Sequence, residues 1–335
     1  MADELDFAVR QFVGSSTAKM PAASTGKPHH VWLRTSAKSS VLCMLDAPTP
    51  LCDGAVVYLH GFPDQSLDHR READGFGQCT SRFARKLREH IKSKHHSVAF
   101  CTFNFSGTPG SDDDTPFAEK LVSAEVQDAC CVVSHVRAVL GPAAKICVVG
   151  LSTGAIVAAL LRESLRDAQI HIVCVAGLFD VAAGLLYDFE PWQLRQFDHW
   201  GWCWKEFYLP IGSSSNPPYS ISSDDEHADQ IVDVATPVAS PTPSFSKVFL
   251  RLNSSYRDDF LQLPLERSVC GHSGIPLSVI HGQKDQSVPF EAGKQLYERA
   301  AEPKFWHPIP SGDHLFRSDK TFKKVMREIS LILQG

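Results

Sequence analysis

The chain has 335 residues, with 33 Lys and Arg against 38 Asp and Glu for a formal net charge of −5, and 43% of its residues are hydrophobic. That supplies one large α/β core plus an insertion, and the interspersed charges form no Lys/Arg block suited to nucleic acid or an anionic membrane surface. The ten cysteines are scattered, several inside apolar runs, so they read as reduced core residues and not as a disulfide framework.

The start, Met-Ala-Asp-Glu-Leu-Asp, has neither the basic nor the apolar region of a secretion signal, and no apolar run reaches the roughly 18 residues of a membrane span. A cytoplasmic protein is the expectation. Residues 7–13, 30–34 and 41–45 alternate apolar and polar, which predicts antiparallel edge strands separated by a Ser/Ala/Pro/Gly stretch over 14–27. From residue 55 the texture changes. Apolar strands are predicted at 55–59, 97–103, 145–149, 170–176, 276–281 and 304–309, alternating with amphipathic helices at 77–92, 119–139, 153–166, 291–300 and 320–333. Such alternation implies an α/β fold with a mostly parallel central sheet and helices on both faces. His90, His95 and His96 close the Lys/Arg-rich helix, where imidazoles suit the C-terminal end of the dipole, and no metal site is expected there.

Residues 179–270 break the rhythm. Their first half is aromatic and includes Trp192, Trp200, Trp202 and Trp204, while 213–246 is rich in Ser, Pro and Asp. This segment is expected to be an inserted helical cap followed by an irregular loop, dividing the core into 1–178 and 271–335. The tryptophans are expected either to wall a hydrophobic lid or acyl pocket or simply to anchor the cap.

Between the strand at 145–149 and the following helix stands Gly150-Leu151-Ser152-Thr153-Gly154. A strand reversing into a helix around one residue leaves no room for a Cβ on either flank, so the glycines have a mechanical reason. The serine at the apex meets free N–H groups and the positive end of the helix dipole, which suits a nucleophile attacking a carbonyl. A serine hydroxyl needs a base, usually a histidine oriented by a carboxylate. Asp285 follows the strand at 276–281, and His314 follows the strand at 304–309. The order Ser152, Asp285, His314 is the serine, acid, histidine order of the α/β-hydrolase arrangement. Asp180 is a rival for the acid, and Asp313 reads as a loop-forming residue. For the oxyanion hole, Thr153 offers one N–H, and Phe62 in His60-Gly61-Phe62-Pro63 is positioned to supply the second. His60 reads as a structural hydrogen-bonding residue.

These motifs resemble the α/β-hydrolase superfamily over most of 55–333. The segment Thr102-Phe103-Asn104-Phe105-Ser106-Gly107-Thr108-Pro109-Gly110-Ser111-Asp112 is similar to that fold's Asp/Asn-x-x-Gly-x-Gly-x-Ser loop, with Pro109 altering the glycine spacing. The pattern Ile280-His281-Gly282 to Asp285, Val288-Pro289, then Gly312-Asp313-His314 resembles the carboxylesterase-like subgroup that includes feruloyl-esterase-like, monoacylglycerol-lipase-like and serine-aminopeptidase-like members. The resemblance implies an α/β-hydrolase fold, a triad of Ser152, Asp285 and His314, and oxyanion donors from Phe62 and Thr153. Epoxide hydrolases and haloalkane dehalogenases share the His-Gly-Phe-Pro motif but place aspartate at the elbow, and Ser152 argues against them.

The expected function is a serine hydrolase that cleaves a carboxylic ester or thioester with an apolar or aryl group through an acyl-enzyme, acting on a small molecule without a cofactor. The alternatives are a small-peptide or amide hydrolase, which would need a cap carboxylate such as Glu190, Asp198 or Glu206 to hold an amine, and a catalytically silent ligand-binding protein.

Overall fold

The computed structural model describes residues 28–36, 39–49, 52–68, 78–79, 81–109, 115–165, 167, 169–210, 245–271 and 274–335. The strand predicted at 7–13, the stretch at 14–27 and nearly all of the loop at 213–246 lie outside the described residues.

The strands in chain order are His29–Arg34 (β1), Ser40–Asp46 (β2), Gly54–Leu59 (β3), Leu67–Asp68 (β4), Gln78–Cys79 (β5), Val98–Phe103 (β6), Lys145–Leu151 (β7), Ile170–Val175 (β8), Trp202–Pro210 (β9), Phe245–Asn253 (β10), Leu277–Gly282 (β11) and Lys304–Ile309 (β12). Eight of them form one sheet in the order β1-β2-β6-β3-β7-β8-β11-β12. The β1-β2 and β2-β6 pairs are antiparallel, and every later pair is parallel. The helices are Arg82–Lys94 (α1), Val122–Leu140 (α2), Thr153–Ser164 (α3), Val181–Asp188 (α4), Pro191–Trp200 (α5), Ser254–Leu261 (α6), Leu265–Cys270 (α7), Phe290–Arg299 (α8) and Asp319–Gln334 (α9).

A strand apolar at every position must be covered on both faces. In β3, Ala55, Val57 and Leu59 join one core layer with α2, α3 and Leu296 of α8. Val56 and Tyr58 join the other layer with Phe83 and Leu87 of α1 and Val325 and Ile329 of α9. The predicted mostly parallel sheet with helices on both faces is therefore present.

The segment between β8 and β11 differs from expectation in one respect. It contains helices, but also a nine-residue antiparallel hairpin of β9 and β10, from Trp202↔Asn253 to Pro210↔Phe245. Along β9, Cys203, Lys205 and Phe207 are buried while Trp202, Trp204 and Tyr208 lie toward the outside. A lysine among the inward positions and tryptophans among the outward ones disguise the two-residue period. The tryptophans pack on one another, Trp200 tilted against Trp202 at 5.3 Å and Trp202 edge-to-face with Trp204 at 5.2 Å. The inner side of the segment is instead carried by Leu185, Phe189, Phe197, Phe207, Tyr256 and Phe260, which are continuous with the α2-α3 layer. Arg162 of α3, almost wholly buried, fastens the returning chain by donating to the carbonyls of Val269, Ile275 and Ala301.

His90 and His95 both contact the Ser330 hydroxyl of α9, at 2.7 and 2.9 Å. Among the described residues no helix is long and apolar enough to cross a membrane.

Candidate active site

Parallel strands of one sheet end at the same edge, and the chain-distant candidates meet there. Ser152 sits between β7 and α3 with φ 57° and ψ −122°, a conformation that L-residues rarely adopt and that costs on the order of 1–3 kcal/mol. Its N–H donates to the Val175 carbonyl at 2.9 Å, and its own carbonyl accepts from Ala155 N at 2.8 Å. The flanking glycines are sterically obligatory. A Cβ on Gly150 would lie 2.0 Å from the Gly154 carbonyl oxygen, and one on Gly154 would lie 2.4 Å from that of Leu59 and 2.5 Å from that of His60.

The turns after β11 and β12 bring Asp285 and His314 to Ser152. His314 Nε2 is 3.1 Å from Ser152 Oγ, and its Nδ1 is 2.8 Å from Asp285 Oδ2. Because Nδ1 faces a carboxylate it carries the proton, which leaves Nε2 free to accept from the serine hydroxyl. The Asp285 side chain is fully buried, and Oδ1 accepts from Ser287 N and Val288 N at 2.9 Å each. Burial pushes this carboxyl up, but hydrogen bonds from His281, His314 and Val288 outweigh it and hold the group well below the usual carboxylate range. It is therefore a fixed negative charge behind the imidazole. A hydroxyl, an imidazole and a buried carboxylate linked in this order can transfer the hydroxyl proton and stabilise the resulting imidazolium.

Of the two expected oxyanion donors, Thr153 adjoins Ser152 and Phe62 follows Gly61 in the turn after β3. Thr153 opens α3 directly after Ser152. On the β3 side, Gly61 approaches so closely that a Cβ there would lie 3.1 Å from Ser152 Cβ. His60 is neutral, its pKa driven down to about 3 by burial and then by the Lys120 charge. Its Nδ1 donates to the Gly61 carbonyl at 2.8 Å, and its Nε2 accepts from Phe105 N at 3.2 Å. His60 thus ties the β3 turn to the turn after β6.

Other candidates are engaged elsewhere. Asp180 is exposed and caps α4, accepting from Ala182 N and Ala183 N at 3.0 and 3.1 Å. Asp313 accepts from the backbone and guanidinium of Arg317. Glu190 caps α5 with Gln193, Asp198 pairs with Arg257 at 2.6 Å, and Glu206 pairs with Lys247 at 2.5 Å. None of these three faces Ser152 in a hydrogen bond.

Three residues near the site have no role predicted from the sequence, although Asn104 and His281 stand inside motifs that carry the family resemblance. Asn104 accepts from Ser66 N and Leu67 N at 2.7 and 2.9 Å and donates to the Leu67 carbonyl at 2.7 Å, pinning the chain just after Phe62. Its place in the segment after β6 was the available clue. His281 is fully buried; its Nε2 donates to the Val288 carbonyl at 3.0 Å and lies 3.4 Å from Asp285 Oδ2, so it braces the acid's turn. Asp188, the last residue of α4, places Oδ2 3.5 Å from Thr153 Oγ1, and only the tertiary fold brings it there.

Comparison with known proteins agrees with this architecture. The family model described as serine aminopeptidase, S33, matches residues 73–321. The uncharacterized protein YfhR of Escherichia coli strain K12 is 36% identical over 63 residues, which is 19% of this chain and 22% of that protein. Matches to solved structures are much longer. An esterase domain from Rhodothermus marinus has a TM-score of 0.55 at 13% identity, covering 91% of this chain and 97% of that one. Est1E from Butyrivibrio proteoclasticus, solved with ferulic acid bound, has a TM-score of 0.55 at 14% identity, with coverages of 90% and 98%. Mouse alpha/beta hydrolase domain-containing protein 10 has a TM-score of 0.57 at 17% identity, with coverages of 91% and 98%. At such identities these likenesses show the fold, whereas the family match spans well over half of the chain. The chain therefore has the α/β-hydrolase fold and belongs to the serine aminopeptidase S33 hydrolase family.

Proposed function

We propose that the protein is a serine hydrolase that cleaves a carboxylic ester or thioester bearing an apolar or aryl acyl group, through an acyl-enzyme and without a cofactor. The observation that carries this reading is the hydrogen-bonded line from Ser152 Oγ through His314 to the buried Asp285 carboxylate. In the proposed cycle His314 takes the Ser152 proton as Oγ bonds to the carbonyl carbon, then gives it to the leaving oxygen or sulfur as that bond breaks. Water, deprotonated by the same imidazole, releases the acid and returns the proton to Ser152. Asp285 stabilises the imidazolium in both halves. The N–H groups of Phe62 and Thr153 hold the oxyanion, which forms at the positive end of α3.

Within the expected division into 1–178, 179–270 and 271–335, the described residues of the middle segment serve as a cap over the described core. The inward rings of Phe117, Phe189 and Tyr256 gather around Phe62, and Phe207 packs edge-to-face on Phe117, which favours an apolar or aryl substituent. The cysteines whose side chains are described are free, which accords with work in the reducing cytoplasm.

Steady-state hydrolysis of short-chain p-nitrophenyl esters tests the proposal. Ser152→Ala should fall below about a thousandth of wild-type kcat/KM. Residual turnover above that level would name another nucleophile, and faster cleavage of amino-acid p-nitroanilides than of any ester would replace the ester reading with an amide one.

A further inference from the structure

Buried polar groups are normally paired, and those left unpaired call for a reason. Tyr256 is fully buried, and among the described residues its hydroxyl meets no hydrogen-bond partner. Its ring packs 4.8 Å from that of Phe62 and 6.0 Å from that of Phe189. Lys205, also buried, reaches into the same aromatic group from β9. Its Nζ lies 4.4 Å from the centre of the Phe189 ring and 5.2 Å from that of Phe62, and it donates to the Asp188 carbonyl. The Asp188 carboxyl touches Thr153 Oγ1 at 3.5 Å. The phenol and the ammonium thus share the ring cluster of Phe62 and Phe189, and the Asp188 carboxyl reaches the Thr153 side chain, amid rings that otherwise suit hydrocarbon.

Opposed charge influences tie the three groups together. Burial raises the Asp188 pKa, which the Lys205 and His314 charges oppose. Burial lowers that of Lys205, which the Asp188 charge opposes first. The phenol is pushed well up by burial and then by Glu125, Asp188 and Asp259, so its proton stays on and remains a donor. An ammonium brought here by a substrate would meet Lys205, and a carboxylate would meet Asp188. A neutral hydroxyl suits both partners: it accepts from Tyr256 or Lys205 and donates to Asp188.

The leaving group must lie within reach of His314 Nε2 to receive its proton, which leaves the ring cluster about Phe62 for the acyl chain. Resting on the serine-hydrolase reading above, we propose that Tyr256, Lys205 and Asp188 form a polar acyl subsite beneath the cap, selecting an otherwise apolar acyl group that carries a neutral hydroxyl. Paired polar groups of this kind discriminate against an analogue lacking the hydroxyl, because that analogue leaves them unsatisfied.

The test uses ethyl esters of straight-chain acids in a graded length series, each ending in methyl, hydroxyl, carboxylate or ammonium, with acid release followed by titration. At the best length the hydroxyl ester should exceed the methyl-terminated ester about tenfold or more in kcat/KM, as one added hydrogen bond to a buried donor predicts. Both charged esters should be slower than the hydroxyl ester. Tyr256→Phe, which keeps the ring, and Lys205→Met, which keeps the length, should each bring the hydroxyl-to-methyl ratio toward one. Equal rates for hydroxyl and methyl esters at every length, a ratio that survives both substitutions, or preference for a charged ester would overturn the subsite. If no ester of any kind is hydrolysed, it is the serine-hydrolase reading that fails, and the subsite fails with it.

Discussion

Replacing Asp285 by Asn changes one atom's role while leaving the turn largely intact. Oδ1 still accepts from Ser287 N and Val288 N at 2.9 Å, so the chain after β11 keeps its anchor. The change falls on the other oxygen, which becomes an N–H₂ donor 2.8 Å from His314 Nδ1 and 3.4 Å from His281 Nε2. His281 Nε2 is already a donor to Val288 O, so it cannot accept. His314 escapes a donor-donor clash only by moving its proton to Nε2, where it points at Ser152 Oγ 3.1 Å away and can no longer take the hydroxyl proton. The wrong tautomer and the lost negative charge together should lower kcat/KM about 10⁴-fold, or about 5.5 kcal/mol of transition-state stabilisation. The assay is p-nitrophenyl ester hydrolysis beside a thermal melt, with Asp180→Asn as the comparison. Asp180→Asn should stay within a few-fold of wild type, since that residue caps α4 and touches neither His314 nor Ser152 in a hydrogen bond. An Asp285→Asn enzyme within tenfold of wild type, or an equal loss in Asp180→Asn, would refute the assignment of the acid.

Gly154→Ala should destabilise the fold by about 3 kcal/mol, because its Cβ would meet two backbone oxygens at 2.4 and 2.5 Å and the α3-β3 contact must open; denaturant unfolding measures it. Asn104→Ala leaves Ser66 N and Leu67 N without their acceptor and should cost about 3 kcal/mol in the same experiment, with a fall in kcat as the turn carrying Phe62 loosens. The depressed Asp285 pKa contributes stability that is fully present above the unfolded value near 3.9 and is lost as pH falls through the folded value. The melting-temperature gap between wild type and Asp285→Asn should accordingly be larger at neutral pH than below about pH 4; a gap that widens in acid would contradict the sign.

The parallel strands were legible because runs such as Ala55-Val56-Val57-Tyr58-Leu59 are apolar at every position, the signature of a strand buried on two faces. Ser152, Asp285 and His314 were legible because each stands just beyond a predicted strand, although the strand before His314, Lys304–Ile309, is half-exposed along most of its length, and the glycines around Ser152 mark a close approach that the backbone contacts explain. The β9-β10 hairpin was hidden, since its inward set includes Lys205 and its outward set includes Trp202 and Trp204. Lys205 is tolerated inside because the Asp188 carbonyl and the Phe189 ring receive its charge, a tertiary circumstance that local pattern does not encode. Helix ends shifted for local reasons: the helix expected to start at 77 begins at Arg82, after Gln78–Cys79 pairs with Leu67–Asp68. Asp188 and Tyr256 had no periodic or motif signal of function, because their partners come from separate parts of the chain, and the motif that contains His281 gave that residue no role of its own.

Whether Ser152 is an activated nucleophile is tested most directly by treating the folded protein with a fluorophosphonate probe and mapping the adduct by mass, with Ser152→Ala beside it. Stoichiometric labelling of Ser152 in the wild type, and none in Ser152→Ala at an unchanged melting temperature, is the expected result. A folded wild-type protein that stays unlabelled, or labels at another residue, would contradict the serine-hydrolase reading and leave a hydrolase fold that binds a ligand without cleaving it.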